Sequence, residues 1–304
     1  MTSKTIAKYA LCALAMGLAL FGTAPAQAQN LVIGGKNFTE QLLLSDMTAQ
    51  YLRAKGYDTE LKNGLGTTLM RSALESGQLD IVWDYTGTAL IVYNHIEDKL
   101  DPEQIYQKVK ALDAPRGLTW LNESGLNNTY AFAMPRKLAE QYGIHTLQDL
   151  ADRINADDRD GGKPHLMGVD YEFASRPDGL GPMQALYGFK LDRSEVKQMD
   201  PGLVYTALKN EQLFVGLTYA SDGRIKGFDL QLLEDDKGYF AAYKATPLVR
   251  QDILEKNPQL AAQLNELAAK IDTATMTELN KRVDIDQEPV AKVAADFLKQ
   301  AGLI

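Results

Sequence analysis

Lys36, Thr67, Thr68 and the run Tyr85-Thr86-Gly87-Thr88 are the residues of this chain best suited to chemistry with a small molecule. They fall within residues 34–90, which begin GGKNFTEQLLL and end GQLDIVWDYTGTAL. A lysine with hydroxyls receives an anionic group, and an aromatic face attracts a cation through its ring quadrupole. The set suits a small ligand with one anionic end and one apolar cationic end. It suits holding such a ligand rather than breaking a bond in it.

Other chemistries find little support. The three histidines, His95, His145 and His165, have no metal-ligand spacing and read as surface or capping residues. There is no G-x-S-x-G elbow and no Walker loop, and Gly64-x-Gly66 lacks the third glycine of a dinucleotide fingerprint. The acidic run at Asp158-x-Asp160-Gly161 has Ala156 at the first calcium-ligand position and Met167 at the closing one, so it makes no calcium loop. No catalytic residue, metal or cofactor is expected.

The elements that position these residues follow from periodicity. Residues 31–33 read as a buried strand and 39–55 as a helix, with Leu43, Met47 and Tyr51 on one face and Gly56 as its stop. Residues 59–62 read as a strand and 64–66 as a flexible turn. Thr67 or Thr68 reads as the N-cap of a helix over 69–75, and 79–83 as a third strand. Alternation at this pace predicts an α/β fold with mostly parallel sheets flanked by helices, in which ligands sit beyond the carboxyl ends of strands. Residues 153–163 read as an exposed polar loop, 179–189 as a short helix ending at Gly188, and 213–217 as a strand. Leu260, Leu264 and Leu267, then Val290, Val293, Ala294 and Phe297, mark two terminal helices.

The N-terminus reads as an export signal. Lys4 and Lys8 precede an apolar run over residues 10–21, and Ala26-Gln27-Ala28 is a small-x-small cleavage site, so residues 1–28 are expected to be removed. Removal takes away the one cysteine, Cys12, and leaves 30 basic against 40 acidic side chains, a formal charge of −10. A chain so acidic and without cysteine is a poor partner for nucleic acid and relies on its core rather than on disulfides. Its length suits two lobes, and it is expected to be a periplasmic monomer.

A series of short motifs occurs in order along the chain. Gly35-Lys36-x-Phe38-x-Glu40-Gln41, Leu65-Gly66-Thr67-Thr68, Gly77-x-Leu79-Asp80-Ile81 and Tyr85-Thr86-Gly87-Thr88 come first. Asn128-Thr129-Tyr130-Ala131, Arg176-x-Asp178-Gly179-Leu180 and Tyr219-Ala220-Ser221-Asp222-Gly223-Arg224 follow. Asp235-Asp236-Lys237 with Tyr243, and Thr275-Met276-x-x-Leu279-Asn280, complete it. This series resembles the periplasmic substrate-binding proteins of osmoprotectant ABC importers, the glycine betaine/carnitine/choline-binding family.

The resemblance implies a two-lobed type II periplasmic binding protein, hinged between its lobes, that hands a quaternary amine to an inner-membrane ABC permease. It implies lobes over residues 30–130 with 244–304, and over 131–243. Carried over position by position, the ammonium cage is Tyr85, Tyr130, Tyr219 and Tyr243, with Tyr205 as a substitute for Tyr243, and the carboxylate partners are Lys36, Thr88 and Arg176. Carnitine, proline betaine, a trimethylated histidine and choline are alternative ligands. A sensor role and an enzyme on the same scaffold are the readings from other classes. Trp83 and Trp120 read as packing residues. The chain departs from the family at Gly35, where a serine is common, at Trp83-Asp84, where proline and glutamate are commoner, and at Ala241-Ala242, which replace prolines.

Overall fold

The computed structural model describes residues 30–160 and 165–304. The export signal, Cys12 and part of the acidic 158–161 run therefore lie outside the described residues.

Two five-stranded sheets organise the chain. The first is built from β1 (Asn30–Lys36), β2 (Asp58–Leu65), β3 (Ile81–Tyr85), β4 (Leu118–Trp120) and β10 (Ala245–Arg250), in the order β2-β1-β3-β10-β4. The second contains β5 (Tyr130–Pro135), β6 (Met167–Val169), β7 (Val196–Gln198), β8 (Val215–Tyr219) and β9 (Leu230–Leu233), in the order β7-β6-β8-β5-β9. β1 pairs in parallel with β2 and β3, while β10 runs antiparallel to both β3 and β4. In the second sheet β5 is the reversed strand, antiparallel to β8 and β9. Four strands of each sheet thus share a direction, as the α/β alternation predicts. The reversed ones, β5 and β10, are the first strands after each passage between the sheets.

Helix α1 (Thr39–Ala54) covers the first sheet, with Leu43, Met47 and Tyr51 fully buried, and Gly56 turns the chain away at φ +95°. Trp83 and Trp120 are packing residues: their indole N–H groups donate to Thr48 Oγ1 and Asp113 Oδ2, each at 2.8 Å. Leu260, Leu264 and Leu267 are buried on the helix Leu260–Ala268, and Val293, Ala294 and Phe297 on Val290–Gln300.

Three local readings change. Residues 64–66 are not a free turn, because β2 continues to Leu65 and pairs it with Lys36 across a register shift. Neither Thr67 nor Thr68 caps α2 (Thr67–Glu75); Gly66 holds the cap position without a side-chain bond. The polar stretch from Arg153 is helical to Asp160, inside Leu147–Asp160. Leu147, Leu150, Ala151 and Ile154 bury the first half of that helix. The i,i+4 pair Arg153–Asp157 at 2.6 Å extends it past the last apolar residue.

Candidate ligand-binding site

The wall on the first sheet grows from strand ends. Lys36 closes β1 and Tyr85 closes β3, and these parallel neighbours end at the same edge. Tyr85 is 4% exposed; its hydroxyl donates to Glu40 Oε1 at 2.6 Å and accepts from Gln41 Nε2 at 3.0 Å. Burial pushes the Glu40 carboxyl up to about 7, against hydrogen bonds from Ser221 and Tyr85 that favour its charged form. Lys36 Nζ lies 3.0 Å from Asp84 Oδ1 and 5.2 Å from the Tyr85 ring centroid. Asp84 also accepts from the Tyr93 hydroxyl and the Tyr85 amide, both at 2.9 Å.

The opposite wall begins with a cross-strand pair. Tyr130 on β5 and Tyr219 on β8 are register partners, so their rings share a face, 5.5 Å apart. Tyr243 meets Tyr130 edge-on at 5.3 Å. Gly87 makes room for it: a Cβ there would fall 2.7 Å from the Ala242 carbonyl and 2.8 Å from the Tyr243 ring. The remaining groups sit on residues 170–179, a run of turns and bends between β6 and the helix Leu180–Tyr187. Asp170 accepts from the Tyr219 hydroxyl at 2.9 Å, and burial raises its pKa against that bond and one from the Phe173 amide. Arg176 forks onto Asp178 with two bonds of 2.7 Å, and the Tyr243 hydroxyl donates to the same carboxylate. The Arg176 guanidinium lies 5.4 Å from the Tyr130 ring centroid. Burial holds the Tyr85, Tyr219 and Tyr243 phenols well above their usual pKa, so they stay neutral.

Direct bonds join the two walls. The Ser221 hydroxyl donates to Glu40 Oε2 at 2.6 Å, and Glu172 Oε1 accepts from the Thr67 amide at 2.8 Å. Phe38 stacks on Tyr219 at 5.3 Å with an interplanar angle of 11°, and lies 6.4 Å from Tyr85.

All seven residues singled out for the ligand, Lys36, Tyr85, Thr88, Tyr130, Arg176, Tyr219 and Tyr243, line this one cleft. Tyr205 does not: it is fully buried behind it, its hydroxyl accepting from the Tyr219 amide at 2.8 Å. The sequence reading missed Phe38, a fifth ring, although it stands two residues from Lys36 in the same motif. It also missed that both basic residues come already paired with acids. Of the histidines, His95 and His145 are exposed, whereas His165 is buried with Nε2 2.5 Å from Asp157 Oδ2, so a surface role does not describe it.

The family model described as the substrate binding domain of ABC-type glycine betaine transport systems matches residues 29–300. The chain belongs to this family. A glycine-betaine-binding protein of Pseudomonas aeruginosa is 52% identical over 296 residues, spanning 97% of this chain and 94% of that protein. The glycine betaine-binding protein YehZ of Escherichia coli is 33% identical, spanning 91% of this chain and 93% of its own. A solved structure described as a glycine betaine/carnitine/choline ABC transporter superposes with a TM-score of 0.72 at 30% identity, covering 90% of this chain and 99% of that one. As a member of the glycine betaine transport family, the chain is a substrate-binding protein of an ABC system, with a small-molecule ligand and a membrane permease as partners. Its two sheets are the cores of the two lobes of a type II periplasmic binding protein. Among the described residues no helix is long and apolar enough to cross a membrane.

Proposed function

We propose that this protein captures a quaternary ammonium osmoprotectant of the glycine betaine class in the periplasm and delivers it to an inner-membrane ABC permease. The supporting observation is the convergence of Tyr85, Tyr130, Tyr219 and Tyr243, with Phe38, on one cleft between the sheets. A quaternary ammonium has no N–H to donate, so carbonyls and carboxylates cannot hydrogen-bond it. Aromatic faces attract it by roughly 0.5–2 kcal/mol per ring, more when water is excluded. Lys36, Thr88 and Arg176 are the carboxylate side of this reading. The protein works as a monomer with a cleaved export signal. Its lobes comprise residues 30–130 with 244–304, and residues 131–243. It has no catalytic step.

The test is a calorimetric titration of refolded mature protein with glycine betaine and with dimethylglycine. Saturable one-to-one binding that weakens sharply on loss of one methyl supports a cage that reads a permanent cation. Equal binding of the two refutes it. A second reading, choline, draws on a specific observation: Lys36 and Arg176 are committed to Asp84 and Asp178 rather than open to a ligand carboxylate.

A further inference from the structure

Three of the four cage tyrosines are held at the polar tip by an acid. The Tyr85 hydroxyl donates to Glu40 Oε1 at 2.6 Å, the Tyr219 hydroxyl to Asp170 Oδ2 at 2.9 Å, and the Tyr243 hydroxyl to Asp178 Oδ2. The fourth ring, Tyr130, has the Arg176 guanidinium 5.4 Å from its centroid. Of the three acids, Asp170 is the plainest case. Glu40 also takes the Ser221 hydroxyl from the other wall, and Asp178 is forked by Arg176. Asp170 is 5% exposed, and both its oxygens are engaged by the protein: Oδ1 accepts from the Phe173 amide at 2.7 Å and Oδ2 from the Tyr219 hydroxyl. A phenol that donates to an acid oxygen is polarised toward its ring, whose face gains negative potential. A cation is attracted by that potential, and an apolar group of the same shape is indifferent to it.

We propose that Asp170 is a positioning residue of the cage. By accepting from the Tyr219 hydroxyl it orients that ring and deepens the ring's preference for a quaternary ammonium over a neutral group of the same shape. Glu40 and Asp178 stand in the same relation to Tyr85 and Tyr243, so the device recurs on both walls of the cleft. Residues that touch no ligand thereby set how strongly the rings discriminate charge. This inference rests on the cage reading above.

The experiment titrates wild type, Asp170→Asn, Tyr219→Phe and the double variant by calorimetry, after a thermal melt of each. The ligands are glycine betaine and tert-butylacetate, the latter read by displacement of betaine. Tert-butylacetate puts carbon in place of the betaine nitrogen, so it keeps the shape and the carboxylate without the cation. Asparagine can keep the bond to the Phe173 amide and reverse the one to Tyr219, whose oxygen then accepts; the tether survives and its polarity changes. The ratio of dissociation constants, tert-butylacetate over betaine, should fall about threefold in Asp170→Asn, a fraction of what one whole ring supplies. Tyr219→Phe should lower it similarly, and the double variant no further. Loosened packing weakens both ligands together and cancels in the ratio, and either single variant carries the test if the other fails to fold. An unchanged ratio in the single variants overturns the inference. So does a second fall when Asp170→Asn is added to Tyr219→Phe, because the acid then acts without the hydroxyl. A wild type that binds both ligands equally overturns the cage reading itself.

Discussion

The first-sheet wall of the cleft hangs on regular structure, with Lys36 ending β1, Tyr85 ending β3 and Glu40 in the first turn of α1. The facing wall hangs Asp170, Glu172, Arg176 and Asp178 on residues 170–179, which form turns and bends only. Both walls use the same device, a buried base locked to an acid with a tyrosine attached. Lys36–Asp84–Tyr93 has its counterpart in Arg176–Asp178–Tyr243. The difference lies in what can move. A strand end fixed by neighbouring strands cannot relocate its charge, whereas a turn can swing an arginine toward water or toward another acid.

Substitutions that delete the two acids separate the walls most strongly. Asp84→Ala leaves Lys36 buried without its ion pair and takes an acceptor from the Tyr93 hydroxyl, so it should cost about 3–5 kcal/mol of folding stability. Asp178→Ala should cost less, about 1–2 kcal/mol, because residues 170–179 can readjust. Chemical denaturation of both variants measures this, and equal losses would mean that the turn wall is as rigid as the strand wall.

Glu40 gives the comparison a pH axis. Asp222 and the Tyr85 hydroxyl face it, with the Ser221 hydroxyl coming from the other wall. Its carboxyl sits at about 7, above the ordinary 4.5, so the native protein binds more protons than the unfolded chain between those values. Its contribution to stability is therefore fully present below about pH 4.5 and is lost as pH rises through about 7, amounting to about 3 kcal/mol. Other carboxylates titrate too, so melting curves from pH 5 to 8 should be read as wild type minus Glu40→Gln. A difference that does not vary with pH would rule the effect out.

Tyr130 touches the Tyr219 and Tyr243 rings, and on the proposed cage reading Tyr130→Ala should weaken betaine by about 2 kcal/mol in a calorimetric titration. Undiminished affinity would remove it from the cage. The smallest effect should come from Gly87→Ala. Its new methyl must displace both the Tyr243 ring and the Ala242 carbonyl, at a cost of about 1 kcal/mol or more, visible as a lower melting temperature.

The same contrast explains what the sequence made legible. The strand-end wall announces itself through periodicity: Leu43, Met47 and Tyr51 fix α1, and the apolar run into Tyr85 fixes β3. The turn wall has no period to read, and Arg176 was placed by its motif alone. Partnerships between distant residues were not visible at all. Glu172 and Thr67 stand 105 positions apart, and local chemistry alone points to a threonine as the cap of α2. The helix through Asp157 is invisible to periodicity for a related reason, since its last turns rest on an ion pair rather than on an apolar stripe.

The passages between the sheets run side by side. The Asn128 amide donates to the Tyr243 carbonyl at 3.0 Å, the Ala245 amide to the Leu126 carbonyl at 3.0 Å, and Asn127 bridges Lys244 in antiparallel fashion. Two extended segments laced in this way act as a leaf spring, compliant to bending across its width and stiff to shear and to rotation about its length. A hinge of this kind channels relative motion of two lobes into a single swing. Tyr130 and Tyr243 are set at the ends of that spring, so whatever presses on those rings presses on the pivot itself. On the proposed cage reading, ligand retention and the speed of opening become two readings of one mechanical element.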